Sequence, residues 1–270
     1  MINKVSRFGW IPDLPDQQDR SVIHTFAVAR IPTSLSLVVG MPPVYDQLAI
    51  GSCVGNAVAA AIDYERKRQG WRFMNPARLF IYYNARDMEQ TVESDAGCSI
   101  RDAMKSVAKL GVCVESFWPY FPELFSWKPG RLSYSTALDH QTVEYLSPTE
   151  PDGTVNMQNL KAGLALGFPF VFGFSVYDSF MSGTVAGTGI VPMPLRNEGQ
   201  VGGHAVLAAG YDDLYGDSLL PPDIPRPPVP SLLCRNSWSK RWGINGYFWL
   251  PYQYISDPNL AEDFWSIRLE

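Results

Sequence analysis

Four residues stand at loop-to-element junctions and together carry the groups of a thiol acyl-transfer site: Gln47, Cys53, His204 and Asn236, in that order along 270 residues. Cys53 follows Ile50-Gly51-Ser52 where a loop becomes a helix. The positive end of the helix dipole favours thiolate over thiol there, and Gly51 lets another chain approach closely. Gln47 lies six residues earlier, so its amide can join the Cys53 N–H in binding an oxyanion. In Gly202-Gly203-His204-Ala205-Val206 an imidazole opens an apolar strand, where it can serve as the base. Arg235-Asn236-Ser237-Trp238 ends another strand. An asparagine accepting from the imidazole fixes its tautomer, and Trp238 shields that bond from water. Singly, each has an ordinary reading: a small buried thiol, a satisfied core histidine, a turn asparagine beside a packing tryptophan. His24 and His140 lack a comparable context and keep that reading. The set of four is far more specific than any member. Its chemistry requires no metal and no organic cofactor.

The elements that must hold these groups fall into two halves. Cys53 to Gln69 is rich in good helix formers, with Ala57, Ala60, Ala61 and Tyr64 at helical spacing and Gly70 as a stop. A second helix is expected after Asn75-Pro76, with Asn75 as cap and Pro76 in the first turn. A third starts at Ser99, has Asp102 three residues on, and stops at Gly111. Residues 31–48 read as extended segments with a turn at Met41-Pro42-Pro43. Beyond them the chain favours short apolar strands at 168–176, 205–211, 231–236, 246–250 and 264–269, interrupted by a helix at 157–166. Six prolines from Pro221 to Pro230 stiffen a loop between two strands. This predicts an N-terminal arm or short prosegment over 1–30, a mainly helical lobe over 31–132 and a mainly β lobe over 133–270. The cleft between lobes is the default place for a site.

Bulk properties set limits. Apolar residues make up 46 % and charged residues 18 %, as in a folded globular protein, and the net charge of -5 offers no basic field for nucleic acid. No apolar run approaches the roughly 20 residues that cross a bilayer. Met1 to Trp10 leads into Pro12, Asp13, Pro15 and Asp16 rather than an apolar stretch, so no ordinary secretory signal is read; cytoplasm and export by another route both stay open. Cys98 and Cys113 bracket a helix that spans about 22 Å, too far for a disulfide, and the reading is four free thiols. Oligomeric state stays open.

With these residues in view, the chain resembles the papain family of cysteine peptidases. The resemblance rests on QLAIGSC from Gln47 to Cys53, HAVLAAGY from His204, and NSW…WGINGY from Asn236, and is expected to span 31–270. It implies an α+β, papain-like two-lobe fold, with a β-barrel-like second lobe, and endopeptidase activity on protein or peptide substrates. Acyl transfer or peptide ligation through the same thioester, or a non-catalytic peptide-binding homologue, are the alternatives. Gly51, Gly97, Ser99, Ile100, Gly173, Gly203 and Trp238 are carried over as substrate-binding positions. Ile100, Gly173 and Gly203 would line a roomy apolar pocket for the P2 side chain, without a buried acid. The pattern also departs from the family. Ile50 replaces a cysteine, which leaves its customary partner, matched here to Cys98, single; Val54 replaces an aromatic residue. The glycine pair that usually presents backbone to substrate is absent, and its role is expected to pass to Ala96, Gly97 or Ser99. Phe8-Gly9-Trp10-Ile11-Pro12 is expected to lie across the cleft as an extended plug, with a disordered tail as the alternative.

Overall fold

The computed structural model describes residues 8–14, 26–28, 30–140, 144–150, 153–214 and 220–269. Much of the expected arm, including Ser21 to Thr25, lies outside the described residues.

The helical lobe is built on α1 (Cys53–Arg68), in which every residue from Cys53 to Glu65 is buried. A helix covered on all sides needs small or apolar residues on every face, and Val54, Ala57, Val58, Ala59, Ala60, Ala61 and Ile62 supply them. Gly55 allows α2 (Arg78–Met88) to cross closely, since a Cβ there would stand 2.7 Å from the Arg78 carbonyl oxygen. Arg66, Lys67 and Arg68 load the last turn, where the helix dipole favours cations.

In α3 (Ile100–Leu110) both expected ends are found. The Asp102 N–H donates to Ser99 Oγ at 3.1 Å, and Gly111 closes the helix at φ 73°. The start of α2 differs from expectation: Ala77 precedes the first helical residue, and Asn75 sits in the left-handed region at φ 55°. The Asp63 carboxylate of α1 takes the N–H groups of Met74 (2.8 Å) and Asn75 (3.3 Å), so the turn is drawn onto α1 before the helix begins. This tertiary bond overrides the local capping signal.

Shorter helices follow: α4 (Arg131–Ala137), α5 (Met157–Ala165), α6 (Gly183–Thr188) and α7 (Tyr252–Ile255). The strands are β1 (Ser34–Ser36), β2 (Glu144–Leu146), β3 (Phe170–Tyr177), β4 (Gln200–Asp212), β5 (Ser231–Arg235), β6 (Tyr247–Pro251) and β7 (Ala261–Arg268). Among the described residues they form one antiparallel sheet in the order β2-β7-β3-β4-β5-β6, with β1 also paired to β4. Of the stretch 31–48, only β1 is strand; Val38–Gly40 is a 3-10 turn.

Strand alternation divides the interior. Val171 on β3 and Ala205, Leu207 and Ala209 on β4 join the core shared with α1. Their alternates, Phe170, Phe172, Phe174, Val176, Val206 and Ala208, join a second core rich in aromatic rings. A sheet covered on both faces reads as a nearly continuous apolar run, which is the character of 168–176 in the sequence. The result is the expected α+β two-lobe fold, with the N-terminus of α1 facing the start of β4.

Candidate active site

His204 lies early in β4, paired across the sheet with Phe174 of β3, and is fully buried. Its Nε2 meets Asn236 Oδ1 at 2.8 Å. The Ser237 N–H donates to the same Oδ1 at 2.8 Å, which identifies that atom as the acceptor and so places the imidazole proton on Nε2. Nδ1 is buried and has no hydrogen-bond partner among the described residues. The imidazole is framed by aromatic rings: Trp238 at 4.9 Å between centroids, Phe174 at 5.8 Å and Phe180 at 6.5 Å.

Cys53 is the first residue of α1, and Ser52 ahead of it makes no side-chain cap. The sulfur therefore meets backbone donors: the Ala205 N–H at 3.4 Å, with the N–H groups of Gly9, Val54 and Cys53 itself also lowering the thiol. The first of these belongs to the residue that follows His204, so the thiol and the imidazole-bearing strand face each other across the lobe boundary.

Gln47 is positioned by the segment before α1, which runs antiparallel to 237–239. Gln47 N–H donates to Ser237 O at 2.8 Å and Ser239 N–H to Tyr45 O at 2.9 Å. Its side chain donates from Nε2 to Ile50 O at 2.9 Å and accepts at Oε1 from the Ser237 hydroxyl at 2.6 Å. Ser237 thus holds both Gln47 and Asn236. The four expected residues are brought together.

The arm fills the space in front of them. Gly9 and Trp10 N–H groups both donate to Gly203 O at 3.1 Å, Cys98 N–H donates to Gly9 O at 2.8 Å and Ile11 N–H to Cys98 O at 3.2 Å. Trp10 and Cys98 thereby form a parallel bridge. Phe8 sets its ring edge to His204 (6.4 Å) and Trp238 (6.3 Å). Gly9 is required: a Cβ there would overlap the Gly51 carbonyl. The indole of Trp10 lies over Gly173 and Gly203, where any Cβ would overlap or crowd the ring.

Acids hold the far end of this strap. Trp10 Nε1 donates to Asp263 Oδ2 at 3.0 Å, and so does the Asp13 N–H at 2.9 Å. Asp13 in turn accepts from Trp265 Nε1 (2.9 Å) and Arg101 N–H (3.0 Å), with the Arg101 guanidinium at 3.8 Å. Burial, and then the Asp13 charge, raise the Asp263 carboxyl above its usual range. Burial likewise raises Asp13, against the pull of Arg101.

Burial also sets the protonation of the reactive pair. It pushes the Cys53 thiol up to about 11 against the backbone donors, and the His204 imidazole down to about 4 against the Asn236 bond. Both shifts favour thiol and neutral imidazole over the ion pair while the arm covers them.

The remaining expected positions divide. Gly51, Gly97, Gly173, Gly203 and Trp238 all border the arm. Ile100 is buried in the apolar cluster that contains Trp10. Ser99 caps α3, and its N–H donates to Glu89 Oε1 at 2.7 Å. Two expectations are corrected. The residue presenting backbone N–H and C=O to the arm is Cys98, between Gly97 and Ser99. Asp95 binds the loop before Cys53, accepting from the Gly51 N–H. The four cysteines are all buried and unpaired. The pocket expected to be free of acid ends on Asp263. Sequence reasoning passed over Asp13, Asp95, Ser237 and Asp263; Ser237 alone had a local signal, its place between Asn236 and Trp238.

Comparison with known proteins agrees with the fold. The family described as papain family cysteine protease matches residues 38–263. The chain is 38% identical over 284 residues, 97% of its own length and 86% of the relative's, to an uncharacterised peptidase C1-like protein of Acanthamoeba polyphaga mimivirus. It is similar to the crystal structure of xylellain, a cysteine protease from Xylella fastidiosa, with 40% identity, a TM-score of 0.83 and coverage of 99% of this chain and 97% of that one. A digestive procathepsin L2 from the larval midgut of Tenebrio molitor, at 19% identity and a TM-score of 0.72 over 100% of this chain and 81% of that one, shares the fold. The chain belongs to the papain family of cysteine proteases.

Proposed function

We propose that this chain is a cysteine endopeptidase that cuts peptide bonds through a thioester, with Cys53 as nucleophile, His204 as base and acid, Asn236 as the residue that orients the imidazole, and Gln47 as an oxyanion donor. The observation that carries the reading is the Nε2–H···Asn236 bond. It leaves His204 Nδ1 without a partner on the strand whose next N–H touches the Cys53 sulfur. The thiol proton passes to His204, the sulfur adds to the scissile carbonyl, and the oxyanion is met by the Cys53 N–H and the Gln47 amide. Collapse expels the amine, which takes its proton from His204. Water, deprotonated by the same imidazole, then releases the acid and restores the thiol. An epoxysuccinyl peptide inhibitor tests this by mass spectrometry: one adduct on Cys53, absent in Cys53→Ala, is expected. An adduct elsewhere, or none on a chain whose arm has been displaced, contradicts it.

The arm is an internal plug that keeps the reactive pair neutral. The parallel bridge at Cys98, the overlap that any side chain at Gly9 would cause, and the neutral protonation of the buried pair support this reading. Trp10 also reports what its pocket accepts. A flat, long side chain lies on two glycines and ends with an N–H on a carboxylate. A substrate side chain with a donor at its tip, Arg or Trp, suits it better than Leu. Fluorogenic peptides differing only at P2 test this, because the ratio of their kcat/KM values cancels the closed fraction of the arm. Arg or Trp is expected to exceed Leu, and Asp263→Leu to reverse the order; a Leu preference in the native chain contradicts the assignment.

A further inference from the structure

The loop that carries the nucleophile and the rim that pairs with the arm are joined by one carboxylate. The Gly51 N–H donates to both oxygens of Asp95, at 3.0 and 2.9 Å. Tyr82 of α2 donates its hydroxyl to Asp95 Oδ1 at 2.6 Å, and the Gly97 N–H donates to that hydroxyl at 3.1 Å. Gly51 stands two residues before Cys53, and Gly97 one residue before Cys98. A single acid thus ties the approach to the sulfur to the main chain that pairs with Trp10.

The support of this clamp is rigid. Tyr82 is buried on α2, and the Arg86 guanidinium lies over its ring at 3.9 Å. Arg86, fully buried, spends its other donors on the carbonyls of Val92 (3.0 Å), Ser94 (2.7 Å) and Phe125, and so pins the loop that delivers Asp95. His204 on β4 and Asn236 just after β5 form the far wall, which Ser237 and the Ala205 N–H tie to Gln47 and Cys53 without Asp95. Without Asp95, Gly51 and Gly97 are no longer joined through one side chain, and the sulfur can shift against a substrate aligned on Cys98. Misplacement by about 1 Å costs on the order of 10²-fold in rate.

We propose that Asp95 is a positioning residue, which through Gly51 and, by way of Tyr82, Gly97 holds the nucleophile loop in register with the substrate-pairing rim. The proposal rests on the peptidase reading above. The test uses the full chain carrying Gly9→Ala, so that the arm is displaced equally in every variant, with Asp95→Ala, Asp95→Asn or Tyr82→Phe added. For peptide turnover, Asp95→Ala is expected to lower kcat about tenfold or more with a smaller change in KM. Alkylation of Cys53 by iodoacetamide, which needs the thiol–imidazole pair but no aligned peptide, is expected to keep its rate and pH profile. Asn retains an acceptor for Gly51 and is expected to restore most of kcat. Phe retains the ring under Arg86 but loses the link to Gly97, and is expected to raise KM. Parental kcat in Asp95→Ala overturns the clamp, and so does a parallel fall of turnover and alkylation, which marks a general structural role. Absence of peptidase turnover in the Gly9→Ala parent removes the peptidase reading itself, and the clamp with it.

Discussion

The two walls of the cleft hold their reactive groups by different physics. On the β side, His204 is gripped by rings and one hydrogen bond: Trp238, Phe174 and Phe180 surround it, and Asn236 alone sets its tautomer. On the helical side, Cys53 is held by backbone N–H groups at an uncapped helix start, and its loop by the amide of Gln47 and the carboxylate of Asp95. Aromatic packing excludes water and tolerates small changes in shape, whereas a hydrogen-bonded loop loses its geometry when one partner goes. Ser237 joins the two walls, through its N–H to Asn236 and its hydroxyl to Gln47.

That contrast can be broken at graded points. The largest effect is expected at Gln47, where Gln47→Ala should lower kcat by about 10² to 10³, with KM nearly constant, because an oxyanion donor acts only in the transition state. Steady-state peptide hydrolysis in the Gly9→Ala chain measures it, and an unchanged kcat removes Gln47 from the chemistry. Trp238→Ala, on the other wall, is expected to cost about tenfold in kcat and to raise the imidazole pKa toward its ordinary value as water reaches the Asn236 bond. A pH–rate profile reads that shift. Ser237→Ala is expected to cost only a few-fold, since Gln47 keeps its Ile50 bond and the Asn236 contact uses backbone.

Which of these points was legible in the sequence follows from distance along the chain. The helix beginning at Cys53, the Ser99–Asp102 cap and the Gly111 stop are decided by neighbours a few residues apart, and each was readable. The four residues proposed to react were readable as a set, since singly each has an ordinary reading and only their order and company are specific. Asn75 does not cap α2 because Asp63, 12 residues earlier on α1, competes for the turn. Asp95 and Gly51 are 44 residues apart, and Trp10 and Asp263 are 253 apart. No local pattern marks an acid that meets its partner only after the lobes close, so an apolar pocket was expected where Asp263 stands.

The smallest expected effect is a pH dependence of arm closure, set by Asp263 on β7, Asp13 in the arm and His204 on β4. Asp263 is raised to about 8 in the closed chain, and Asp13 is raised beside it, so closure takes up protons relative to the open state. The contribution of Asp263 to closure is complete below the ordinary carboxylate range and is lost as the pH rises through about 8, and Asp13, raised beside it, acts in the same direction. His204 works in the opposite sense: lowered to about 4, it disfavours closure as the pH falls below its ordinary 6.5. Between 6.5 and 9 the balance is toward opening, and Asp263→Asn should flatten the lower part of that range. Fluorine NMR of fluorotryptophan-labelled protein, with Trp10 assigned through Trp10→Phe, follows it; opening that increases on acidification from pH 8 to pH 6.5 contradicts the assignment.

One comparison reaches the heart of the account, that Cys53 is an able nucleophile kept neutral beneath its own chain. Iodoacetamide alkylation of Cys53 at pH 7 is measured in the native chain and in Gly9→Ala, whose added methyl overlaps the Gly51 carbonyl. The Gly9→Ala chain should react at least about tenfold faster, because the sulfur regains solvent and its imidazole partner. Equal rates in the two proteins would contradict it.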